Sequence, residues 1–204
     1  MTLYMKLAVL LHGDDTVLPG AEQAVKTFVD QVRSYSGGQL ELFVNFVKVG
    51  FGPPFEIFIK EPNYGYFARE SDLKKVLDDL KPCGLIRIYH HQMSTNAFAN
   101  IKPLPSDWSI NAMAMSYPVN PTYTAIAWDE WLKGQKSEPI ENVLIHEFLH
   151  QLEFMFSMVG VKTFMGSHEG LAAYPDAFKV LKDSFKTPVP WIKLDVLTGT
   201  DWKA

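Results

Sequence analysis

Cysteine is nearly missing from these 204 residues. Cys83 is the only one, so no disulfide can close within the chain. It stands between Pro82 and Gly84 with Lys81 as its one basic neighbour, and reads as a small apolar residue rather than a reactive thiol. A chain of this length buries enough surface to fold without such links. Positive charge is also scarce: 19 Lys and Arg against 23 Asp and Glu leave a net charge of −4, and the basic residues are scattered. That pattern excludes nucleic acid as the expected main partner. No apolar run has the length of a membrane span, so no membrane insertion is expected. The run over residues 5–11 is closed by His12-Gly13-Asp14-Asp15, too early for a secretory leader. A cytoplasmic location is expected if the chain is full-length, and a secreted one if a leader has been removed. Nothing in the sequence sets an oligomeric state.

What the chain does hold is His146-Glu147-Phe148-Leu149-His150, an H-E-x-x-H string. Its chemistry needs a helix. Four residues advance a helix by slightly more than one turn, so His146 and His150 stack on one face and can pinch a single Zn²⁺. Glu147 follows His146 closely enough for its carboxylate to take a proton from a water activated by the metal. Val143, Leu144, Ile145, Phe148, Leu149, Leu152, Phe154 and Met155 surround the string, and Glu147 is the only charge between Glu141 and Glu153. A helix apolar nearly all round packs inside a domain, where imidazoles and a carboxylate need compensation. Ser137 and Pro139 give start signals and Gly160 a stop. The bland alternative is a chance string whose histidines are hydrogen-bonded core residues.

A catalytic zinc takes three protein ligands and one open position. Downstream candidates lie in Gly166-Ser167-His168-Glu169-Gly170-Leu171-Ala172-Ala173-Tyr174-Pro175-Asp176. Eighteen residues separate His150 from Glu169. That spacing, with Glu169-Gly170-Leu171-Ala172-Ala173-Tyr174 after it, resembles the gluzincin metallopeptidases, whose aminopeptidase branch has a similar glutamate ligand on the next helix. The resemblance covers about residues 143–174. It implies His146, His150 and Glu169 as ligands of one Zn²⁺ and Glu147 as general base. His168 stands where that branch commonly has asparagine, the Gly-x-Met-Glu-Asn exopeptidase motif is absent, and this chain is far shorter than those multidomain enzymes. The likeness is to a zinc site, not to a substrate site. His168 remains the competing third ligand, with Asp176 behind it. The metzincin pattern is absent, since Glu153, Phe154 and Phe156 occupy the stretch where its glycine and third histidine belong.

Taken in order, residues 5–11 read as a buried strand, 21–34 as an amphipathic helix, 39–49 as a second strand and 55–59 as a short one. Residues 71–80 read as a helix and 85–89 as another buried strand. His12 would make a turn hydrogen bond or line a cleft, and of the adjacent His90 and His91 one could face that cleft. Residues 94–122 are rich in Asn, Ser, Pro and aromatics, a long loop of the kind that often carries function, with 110–117 as a possible edge strand. Tyr123–Trp128 would be the last strand. Under the resemblance, that strand lies at the edge of the upper sheet, lines the cleft and pairs with extended substrate. Residues 170–182 suggest a helix interrupted near Pro175, and Trp191 and Leu194 would pack below the motif helix.

The β-α-β-α-β order points to an α+β (mixed α/β) chain with a twisted mixed sheet and packed helices. The resemblance makes it zincin-like, with a smaller, mainly helical C-terminal part. With no repeat or linker, one catalytic domain is expected over 1–204, the sheet lobe over about 1–135 and the zinc helix and lower part over about 136–204. The expected function is zinc-dependent hydrolysis of peptide bonds in a peptide or protein substrate. Tyr174 and His168 are the candidates for stabilising the oxyanion. Glu141, Glu153 and Asp176 could orient the imidazoles. The alternative is a non-catalytic zinc-containing domain that binds carbohydrate or peptide through its aromatic residues and the 94–122 loop; a domain merely stabilised by its metal is a third.

Overall fold

The computed structural model describes residues 2–49, 55–60, 63–68, 76–90, 114–117, 121–128, 139–160, 175, 177–178 and 197–203. Its strands are β1 (Thr2–His12), β2 (Leu40–Val49), β3 (Phe55–Lys60), β4 (Asn63–Ala68), β5 (Gly84–Tyr89), β6 (Ala114–Tyr117), β7 (Thr122–Ala127) and β8 (Thr200–Lys203). Two long helices, α1 (Ala21–Tyr35) and α2 (Ile140–Met158), are described from end to end, and residues 76–80, the described part of the helix expected over 71–80, are helical too.

Among the described residues, six strands form one sheet in the order β2-β1-β5-β7-β6, with β8 added to β1. β1, β2, β5 and β7 run parallel, whereas β6 and β8 run antiparallel to their partners. Parallel neighbours require crossovers, and α1 supplies the one between β1 and β2. β3 and β4 form a separate antiparallel hairpin.

Alternation along β1 sorts the core into two layers. Leu3, Met5, Leu7, Val9 and Leu11 join Ile86, Ile88 and Ile126 on one face, where Val25, Phe28 and Val32 of α1 and Leu144, Phe148, Leu149 and Leu152 of α2 bury them. Phe28 meets Phe148 edge-on at 5.5 Å between ring centroids. Ala8 and Leu10 face the other way, with Leu85, Tyr89, Tyr123 and Val76. β5 and β7, buried along their whole lengths, read as nearly unbroken apolar runs because both faces are covered.

Several expectations need correcting. Tyr123–Trp128 does not form the sheet edge: β7 lies between β5 and β6, and the antiparallel β6 is the outermost strand among the described residues. Residues 200–203, for which no element was expected, pair with β1 as β8. His12 ends β1 with its ring fully buried and its Nδ1 2.8 Å from Arg87 Nη2. His90, the residue after β5, is half-buried, and His91 lies outside the described residues. So do most of the 94–122 loop, Trp191, Leu194 and most of the 170–182 helix, of which Pro175, Ala177 and Phe178 are helical. Among the described residues, no helix is long and apolar enough to cross a membrane.

Candidate metal centre

The motif string lies in the middle of the 19-residue α2. Pro139 caps the start in an extended conformation, and Glu141 places a carboxylate in the first turn, favourable to the helix dipole. The end is set by Gly160, whose φ of 71° is in the left-handed region and whose N–H donates to the Ser157 carbonyl. The stop read from the sequence is therefore where the helix stops.

Although its sequence is apolar nearly all round, α2 is not uniformly buried. Val143, His146, His150, Glu153 and Phe154 are half-buried and Ser157 is exposed, while Leu144, Ile145, Phe148, Leu149, Leu152 and Met155 are sealed in the core. The half-open positions recur at helical spacing, so one stripe is left towards solvent. The two histidines sit on it. Glu147 lies on the flank of that stripe and is only 7% exposed.

The Nε2 atoms of His146 and His150 are 3.2 Å apart, with the rings edge-to-face at 78°. Two imidazole nitrogens bound to one tetrahedral zinc at about 2.0–2.1 Å stand roughly 3.3–3.4 Å from each other. The separation is close to that of two imidazoles sharing one metal and is also a hydrogen-bonding distance between the rings, and imidazole is a donor that suits zinc. The Nδ1 of His150 faces Glu153 Oε2 at 3.6 Å, too long for a hydrogen bond but within range of a carboxylate that orients a ligand ring. The Phe154 ring lies nearly parallel to that of His150, with centroids 6.4 Å apart. Burial first, and then neighbouring His146, hold the His150 imidazole below the ordinary histidine range. Its neutral form, the one that binds metal, is favoured.

Among the described residues, no cluster of three or more His, Cys, Asp or Glu side chains can hold a metal. Glu169, His168, Tyr174 and Asp176 all lie outside the described residues. Glu141 is described and half-buried in the first turn of α2.

No family model matches the sequence, and no curated protein matches it. Among solved structures, the chain is similar to the crystal structure of archaemetzincin from Methanopyrus kandleri. Identity is 13%, over 90% of this chain and 96% of that one, with a TM-score of 0.44. A likeness this loose assigns no residues.

Sequence reasoning passed over two polar residues behind the pair. Gln151, fully buried, donates from Nε2 to the Leu85 carbonyl at 3.0 Å and to Thr124 Oγ1 at 2.7 Å. Arg87, fully buried on β5, lies on the opposite face of the sheet. The signal for Arg87 was a lone polar residue inside an apolar run, Gly84-Leu85-Ile86-Arg87-Ile88, whereas Gln151, next to His150 and two residues before Glu153, carried no such signal.

Proposed function

We propose that the chain is a zinc-dependent metallopeptidase in which His146, His150 and Glu169 hold one Zn²⁺ and Glu147 is the general base. The observation that supports it is the convergence of the two Nε2 atoms at 3.2 Å on the open stripe of α2, beside a nearly buried Glu147. Bound there, zinc would acidify a water and polarise a carbonyl.

The remaining work falls to the side chains. Glu147, following His146 in the same turn, accepts the proton of the attacking water and returns it to the departing amine. Its burial holds the carboxylate where bulk water competes little for that proton. Glu153 steadies the His150 ring through Nδ1. His168 is the alternative third ligand, and it or Tyr174 supplies the hydrogen bond that stabilises the oxyanion. Peptide is favoured as substrate because β6, against which α2 packs, is the outermost strand of the sheet among the described residues. An extended chain can add to such an edge through backbone hydrogen bonds.

Metal analysis of protein purified without added metal tests the reading. The parent should carry about one zinc per chain, and His146→Ala should carry none. Glu147→Gln should keep fold and zinc but lose peptide hydrolysis by roughly 10²–10⁴-fold. Glu169→Ala should empty the site, whereas His168→Ala should leave it filled. A folded parent that takes up no zinc would end the proposal, and undiminished cleavage by Glu147→Gln would remove Glu147 from its role.

A further inference from the structure

We propose that Gln151 is a positioning residue for the metal pair, its amide bridging β5 and β7 so as to fix the rotation of α2 about its axis. The inference rests on the zinc reading above and names a part of the chain that the motif does not include.

Both N–H groups of the Gln151 amide are engaged, one by the Leu85 carbonyl of β5 and one by the Thr124 hydroxyl of β7. The two strands are neighbours, with Leu85 beside Tyr123 and Ile86 beside Thr124. One side chain therefore ties the helix to two central strands at once. Space for it comes from Gly84: a Cβ there would fall 2.6 Å from Gln151 Oε1 and 2.9 Å from Leu7 Cδ2.

The arrangement is not the most stable filling of that space. Gln151 Oε1 is buried with no hydrogen-bond partner among the described residues. An apolar side chain would leave no such atom, so the amide is better explained by direction than by stability. Packing by Phe148, Leu149 and Leu152 is non-directional and tolerates small rotations of the helix. Two hydrogen bonds to a rigid sheet do not.

Rotation of α2 moves the metal pair as a unit and leaves its own spacing unchanged. Gln151 follows His150 directly and lies four residues after Glu147, about 40° round the helix from it. With side-chain tips about 5–6 Å from the axis, a turn of about 10° moves each by roughly 1 Å. Ligand rings and base would be displaced together relative to any ligand from another part of the chain.

Zn²⁺ affinity by competition with a chromophoric chelator and the visible spectrum of Co²⁺-loaded protein read this directly. Unfolding of the metal-free protein, measured beside them, reads stability alone. Gln151→Met keeps the volume without the hydrogen bonds, and should bind Zn²⁺ roughly 10–100-fold more weakly, with an altered Co²⁺ spectrum. Thr124→Val should move in the same direction, and Thr124→Ser, which restores the hydroxyl, should return to the parent's affinity. If Gln151→Met lowers only the stability of the metal-free protein, Gln151 is packing and the inference is wrong. Should that variant not fold, the Thr124 pair decides: equal zinc affinity in Val and Ser overturns the inference. A folded parent that binds no Zn²⁺ overturns both this inference and the metal reading, and shows it before any variant is made.

Discussion

Arg87 and His12 form a buried pair on the sheet face away from α2. Arg87 Nη2 is 2.8 Å from His12 Nδ1, and its guanidinium lies 5.8 Å from the centre of the Tyr89 ring. An arginine has no lone pair to offer, so Nδ1 accepts, and the neutral imidazole carries its proton on Nε2. Burial, and then the Arg87 charge, push His12 down to about 3. The consequence for stability has a definite sign. Above pH 6.5 the ring is neutral folded and unfolded, and contributes no slope. Below it, only the unfolded chain takes up the proton, so stability falls as pH drops from 6.5 towards about 3. The loss is roughly 1.4 kcal/mol per pH unit. Urea unfolding of the parent and of His12→Gln between about pH 4.5 and 6.5 isolates this term, because other histidines are common to both. Parallel stability curves for the two proteins would show that His12 is not the titrating group. Sequence placed His12 at the end of a strand, where it is, but could not show its partner: Arg87 is 75 residues away, and only the β1–β5 pairing brings them together.

Elements were legible where their pattern was long and their ends were marked. α1, β1, β2, β5, β7 and α2 lie within a few residues of their expected spans, since runs of six to nineteen residues average over local exceptions. β4 and β8 were not foreseen. Asn63-Tyr64-Gly65-Tyr66-Phe67-Ala68 carries a glycine at its centre, and Thr200-Asp201-Trp202-Lys203 is only four residues with one apolar side chain. For such segments strand structure is supplied by the partner, here β3 and β1. The motif helix was read correctly as buried, but its half-open stripe and the Gln151 bridge depend on what lies opposite, which spacing does not contain. At this scale the joint between α1 and α2 is the test. Phe148 is fully buried, edge-on to Phe28, one residue from Glu147. Phe148→Ala should cost about 3–5 kcal/mol in urea unfolding. A cost under about 1 kcal/mol would mean that the two helices do not share this contact in solution.

Across the whole molecule, β1 is the strand on which the sheet converges. One edge pairs with β2 over its length; the other is divided, with β8 along residues 2–5 and β5 along residues 7–12. Lys6 sits at the division, donating its N–H to the Gly199 carbonyl and accepting from the Cys83 N–H. The end of the chain therefore meets the start of β5 at Gly199, where a Cβ would come within 2.5 Å of the Cys83 nitrogen and 2.7 Å of the Lys81 carbonyl oxygen. Backbone atoms cannot rotate away as a side chain would, so a methyl group there must separate β8 from β5 or shift both. Gly160 supplies the control. Its φ of 71° is close to the 80° of Gly199, but its Cβ would meet nothing within 4 Å. Gly160→Ala should then cost about 1–2 kcal/mol, the strain of the left-handed conformation alone. Gly199→Ala should add a further 1–3 kcal/mol of crowding, and hydrogen exchange should quicken at the β8 amides. Equal losses for the two variants would mean that β8 is not held against β1 and β5, and the sheet would then close at five strands.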